Sequence, residues 1–165
     1  SYRVEFEANE RLETLVVDND LIQPETGLIS ENTNCLPLKY DYFKVDALCF
    51  RNLLSKRVSL VGCGRRIDVR FDNFEFVQLW TKGRSPFFCI ELTCGIDDFV
   101  GASGSIETKQ GIITLPAGQR FERKHAMSFS YSASKRPKKS RKNKPSLKAK
   151  KTLPVRVKRK LQGLF

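Results

Sequence analysis

Phe74–Ile96 reads FEFVQLWTKGRSPFFCIELTCGI, two apolar runs on either side of a polar turn. Phe76, Val77, Leu79 and Trp80 make the first run, and Phe87, Phe88, Cys89, Ile90 and Leu92 the second. Between them, Lys82-Gly83-Arg84-Ser85-Pro86 has the glycine and proline chemistry of a strand connection. The pattern predicts two neighbouring strands, and it places one carboxylate, Glu91, inside the fold or at a rim. A carboxylate removed from water must find donors or take up a proton. Glu91 is therefore either a paired structural acid or an acid–base group, and the residues alone leave both readings open.

Outward from this pair the chain reads as further strands. Tyr2, Val4 and Phe6 alternate with Arg3, Glu5 and Glu7, the period-two pattern of a strand with one wet face, and Leu12–Val17 is a second run. Asp18-Asn19-Asp20 and Pro24-Glu25-Thr26-Gly27 read as turns and Glu31-Asn32-Thr33-Asn34 as a polar loop. Pro37 makes Leu36–Leu38 an edge or entry segment. Tyr40–Leu54 is the only helical possibility, its DALCFRNLL holds a short turn or two at most, and little helix is expected. Val58 and Leu60, then Ile67, Val69 and Phe71, alternate with polar residues around a Gly62-Cys63-Gly64 hairpin connection. Asp97–Ser105 is a long loop of the kind that carries sites, and Ile112–Leu115 and Phe121–Tyr131 are expected to close the sheet. Many short strands with turn signals predict an all-β fold, an antiparallel β-sandwich.

Charge divides the chain at Ser132. Of 30 Lys+Arg and 18 Asp+Glu, Ser132–Phe165 holds 14 of the basic residues and no acid, which leaves 16 against 18 in residues 1–131. The net +12 is a property of the tail. The tail's lysine and arginine runs and three prolines predict disorder and attraction to phosphate backbones. Three readings stay open for it: a tether to nucleic acid or an anionic surface, a localisation signal, or translated sequence outside the natural frame. The body, residues 1–131, is long enough to bury one core. No apolar run reaches the ~18 residues of a membrane span. The start at Ser1, with neither Met nor a charged-then-apolar leader, suggests a fragment without a secretion signal. Five cysteines, Cys35, Cys49, Cys63, Cys89 and Cys94, form no CxxC pair, which fits reduced thiols in a cytoplasmic protein and gives zinc a poor start. No metal and no cofactor is expected.

LWTKGRSPFFCIELTCGIDD, followed by IETKQGIITLPAGQRFERKHAMSF, resembles the C-terminal part of the aldose 1-epimerase (galactose mutarotase-like) family. LPLKYDYFKVDALCFRNLLSKRVSL upstream is similar as well, so the resemblance runs from Tyr2 to about Tyr131 as many weak positions in register. It implies a two-sheet supersandwich longer than this body, of which the chain is the C-terminal half. Some strands would then lack partners, and exposed edges would invite pairing with another chain.

The implied activity is the interconversion of the α and β anomers of a hexose, in which a base takes the C1 hydroxyl proton and an acid protonates the ring oxygen. The resemblance makes Glu91 that base. The family's acid is a histidine in a Gly-His-Pro segment that this chain lacks, so the chain is expected to be inactive alone. Asp46, in the DAL match, is a candidate for a sugar hydroxyl and Trp80 for a stacking face. Lys82 and Lys109 sit beside family motifs as candidates for a hydroxyl or a phosphate. The single histidine, His125, shares the parity of Phe121, Met127, Phe129 and Tyr131, which predicts a satisfied histidine on the apolar face of the last strand. Leu92 and Thr93 stand where many relatives carry proline and an aromatic, which bears on the packing beside Glu91. Oligomeric state is not legible.

Overall fold

Tyr2–Asp18 forms one unbroken strand, β1, with Val4, Phe6 and Leu12 turned into the core. Asn19 and Asp20, both at positive φ, reverse the chain as the short polar residues of a hairpin turn can. β2 (Leu21–Pro37) returns along β1, and the remaining strands are β3 (Leu48–Arg51), β4 (Arg57–Gly62), β5 (Arg65–Asp72), β6 (Phe76–Trp80), β7 (Cys89–Thr93) and β8 (Lys124–Tyr131). This computed structural model describes residues 1–131. Every strand pair is antiparallel. The order β7-β6-β3-β1-β4-β5-β8, with β2 also on β1, makes one continuous sheet that curls into a half-barrel.

β1 is the spine. Its first residues, Tyr2–Phe6, pair with β4, while Thr14 and Leu15 pair with β3. Register shifts against β2 between Glu5 and Glu13 add the local bends that let one strand serve both ends of the fold. Two wings result, β3-β6-β7 and β4-β5-β8. They share a core: Val4, Phe6, Leu48, Phe50, Val58, Val69, Phe71, Val77 and Leu79 are buried together, and Phe6 meets Phe50 edge to face at 6.2 Å. A smaller cluster of Ile22, Cys49, Phe76 and Ile96 packs separately. The alternation at Val58–Leu60 and Ile67–Phe71 therefore does what it predicts, and Cys63 and Gly64, at φ +50° and +70°, close that hairpin.

Several local expectations are corrected. Pro24–Gly27 and Glu31–Asn34 are not a turn and a loop but lie inside β2, which buries only Ile22 and Leu36 and so needs no apolar period. Helix is scarce, as expected, and DALCFRNLL supplies β3 in place of a short turn. The only helical turns described are 3₁₀, at Tyr40–Phe43 and Ile106–Thr108. Ile112–Leu115 is not a strand, and the last strand begins at Lys124 rather than Phe121. His125 is exposed, not a core histidine, because all of β8 is exposed. The expectations for the tail fall outside the described residues. Among the described residues no helix is long and apolar enough to cross a membrane.

Candidate functional site

The β6–β7 hairpin positions the first two candidates. Gln78 lies opposite Glu91 and Trp80 opposite Cys89, so Trp80 is Glu91's diagonal neighbour on the same face. Val77, Leu79, Ile90 and Leu92 take the other face, into or against the main core. The Trp80 indole N–H donates to Glu91 Oε1. Glu91 Oε2 has no hydrogen-bond partner among the described residues. Beside this pair, Gln78 Nε2 donates to Thr93 Oγ1 at 3.3 Å, and Phe87 stands edge-on to Trp80 at 5.5 Å. Glu91 and Trp80 are half-buried, and among the described residues β7 pairs only with β6, so the carboxylate sits at the end of the strand order rather than in the main core. Burial, and then the Glu91 charge, push the Cys89 thiol above its ordinary range.

The other candidates do not converge on this pair. Asp46 is exposed before β3, and its Oδ1 accepts the Ala47 N–H at 2.6 Å. Lys82 is exposed in the β6–β7 connection, where its carbonyl accepts the Ser85 N–H. Lys109 pairs with Asp98 and lines a recess of about 240 Å³ formed by Asp97–Gln110. Gly111 holds this segment close to the sheet. It has φ +79°, and a Cβ there would meet the Cys94 carbonyl oxygen at 2.8 Å. That close approach is a physical reason for glycine at position 111. His125, on the strand at the other end of the order, makes no hydrogen bond with Glu91.

Two polar constructions were not foreseen. Glu10 is the carboxylate the fold buries most deeply, 3 % exposed, and it accepts the backbone N–H groups of Leu54 and Ser55 at 3.1 and 2.7 Å. Ser55 Oγ in turn accepts the Ala8 N–H at 2.9 Å, so Glu10 pins the β3–β4 loop to β1. Its partners lie 44 and 45 residues away, and no local spacing announces them. On β1, β4 and β5, Arg66 bridges Glu5 at 2.6 Å and Asp68 at 2.7 Å, and Ser59 Oγ donates to Asp68 at 2.6 Å.

A wider cleft of about 740 Å³ opens among β1, β4, β5 and the β6–β7 connection. Tyr40, Phe43, Phe87 and Phe88 line it, together with Lys39 and Arg65 and no carboxylate. Neither cation makes an ion pair among the described residues. No group of His, Cys, Asp and Glu among the described residues is placed to hold a metal ion. No family model, no curated protein and no solved structure matches the chain.

Proposed function

We propose that the chain is the sugar-handling, C-terminal half of an aldose 1-epimerase-like protein, in the cytoplasm, with Glu91 as the base toward a hexose. The Trp80–Glu91 hydrogen bond carries this reading. Two residues chosen for different roles touch, one carboxylate oxygen is fixed by the indole, and the other has no protein donor. A fixed carboxylate beside Trp80 and Phe87 offers a sugar what such sites use, an acceptor for hydroxyls and an aromatic flank for the ring's C–H face. The other wall would lie past β7, at the open edge. Five unpaired cysteines fit a reducing compartment.

In this reading Glu91 Oε2 takes the C1 hydroxyl proton as the ring opens. The ring oxygen must gain a proton at the same time, and no residue beside Glu91 supplies it. Positioned acids contribute about 10² to 10⁴ in rate, so the chain binds a hexose and equilibrates its anomers no faster than buffer by more than a small factor. Galactose or glucose titrated against the fluorescence of the single tryptophan, Trp80, with polarimetry of fresh α-galactose on the same samples, tests both halves. Weak binding lost in Glu91→Gln, with little mutarotation, is the expected result. A signal unchanged by Glu91→Gln removes Glu91 from the site.

The cleft favours a second reading, a module for anionic polymers. Unpaired Lys39 and Arg65 beside exposed aromatics give the charge and stacking surfaces used for single-stranded nucleic acid. In this reading Lys39→Glu with Arg65→Glu weakens retention on heparin or single-stranded DNA resin even with residues 132–165 present. Retention that follows residues 132–165 alone excludes the cleft.

A further inference from the structure

Among the described residues β8 is an edge strand. It pairs with β5 through an unbroken register from Arg65 opposite Tyr131 to Asp72 opposite Lys124, and among the described residues it pairs with no other strand. Among the described residues its second edge therefore has no partner for its row of N–H and C=O groups. Of the devices that usually blunt such an edge β8 has one lysine, Lys124, at its first position; from His125 to Tyr131 there is no proline, no bulge and no Lys, Arg, Asp or Glu.

The faces of β8 are equally telling. Met127 and Phe129 lie opposite Val69 and Ile67, so they continue the core face of the sheet. Val69 is 5 % exposed, yet Met127, Phe129 and Tyr131 are 58 %, 71 % and 82 % exposed. The apolar stripe of the core runs on past β5 with no described residue covering it.

The strand is complementary to itself. In an antiparallel pair, directly opposite residues share a face. A two-fold axis through Ser128 sets Met127 against Phe129 of the other copy and His125 against Tyr131, each twice and all on the core face. Ala126 then meets Ser130, and Ser128 meets Ser128, on the other face, where small side chains allow close approach. An axis between two residues would instead align the apolar stripe of one copy with the small polar face of the other. We infer that β8 pairs with β8 of a second copy of the chain, antiparallel and two-fold about Ser128, joining two curled sheets into one. The interface is isologous and closes, as two-fold contacts do.

Sedimentation velocity on the full chain over a wide concentration range should show a monomer–dimer equilibrium. The register is read by disulfide trapping in a Cys63→Ser background, since Cys63 is the exposed native cysteine. Ser128→Cys should give a covalent dimer under mild oxidation. Ala126→Cys and Ser130→Cys should each fail alone and cross-link when mixed. Phe129→Lys, at a site exposed in the single copy, should leave the circular dichroism spectrum unchanged and weaken association by about tenfold or more. A monomer at every concentration overturns the proposal, as does equal cross-linking at all three positions or a dimer that Phe129→Lys leaves intact.

Discussion

The wing β3-β6-β7 ends on a strand whose five residues are all half-buried, whereas β4-β5-β8 ends on one whose eight residues are all exposed. Both end strands carry alternating apolar residues, Ile90 and Leu92 in one, Met127 and Phe129 in the other. Both hang from β1. What separates them is cover. Ile90 and Leu92 pack against the shared core together with Phe88, and the chain that follows β7 adds Ile96 and Phe99 to the second cluster. The last strand reaches past the point where the core has anything to set against it. Alternation thus specifies which face a side chain joins, and the rest of the fold decides whether that face is dry.

The sharpest break of this comparison is a pair of phenylalanine truncations. Phe50, on β3, is 1 % exposed and meets Phe6 of β1, so Phe50→Ala opens a cavity in the shared core, and it should cost about 3–5 kcal/mol. Phe129→Ala, on β8, removes a ring already in water and should stay within about 0.5 kcal/mol in the single copy. Urea unfolding at low protein concentration measures both. Equal losses would mean that β8 is covered after all.

How far the sequence could be read follows from the same distinction. Strands with a dry face, such as Val58–Leu60, Ile67–Phe71 and Phe76–Trp80, carry their own period and were legible. β2 was not, because β1 is its only partner strand, and it buries two residues in its length and tolerates Pro24 at a register shift. His125 has the parity of an apolar face, and only the end of the core contradicts it. At the candidate site, Trp80 and Glu91 were legible as neighbours because a hairpin brings near residues together. Glu10 was not, since its donors arrive from a loop across the sheet. The separation of Asp46 and Lys109 from Glu91 likewise depends on loops whose paths no local pattern encodes.

The smallest expected effect is the response to acid, and it too separates the wings. In β4-β5-β8, the Arg66 hydrogen bond holds the Glu5 carboxyl below its ordinary 4.5. Burial raises that of Asp68, but hydrogen bonds from Ser59 and Arg66 outweigh it, so Asp68 also lies below its ordinary 3.8. Both groups give up their protons more readily folded than unfolded. Between the unfolded and folded values the unfolded chain binds more protons, so stability rises with pH there. The contribution is complete above about pH 5 and is lost as pH falls through the ordinary carboxylate range and then through the depressed folded values. Both carboxylates are partly in water, so screening keeps the effect modest. Melting temperatures recorded from about pH 6 to pH 2.5 should therefore fall less steeply in Arg66→Gln than in the natural chain, because the substitution removes the donor that lowers both values. An unchanged slope in Arg66→Gln would show that water screens the network completely.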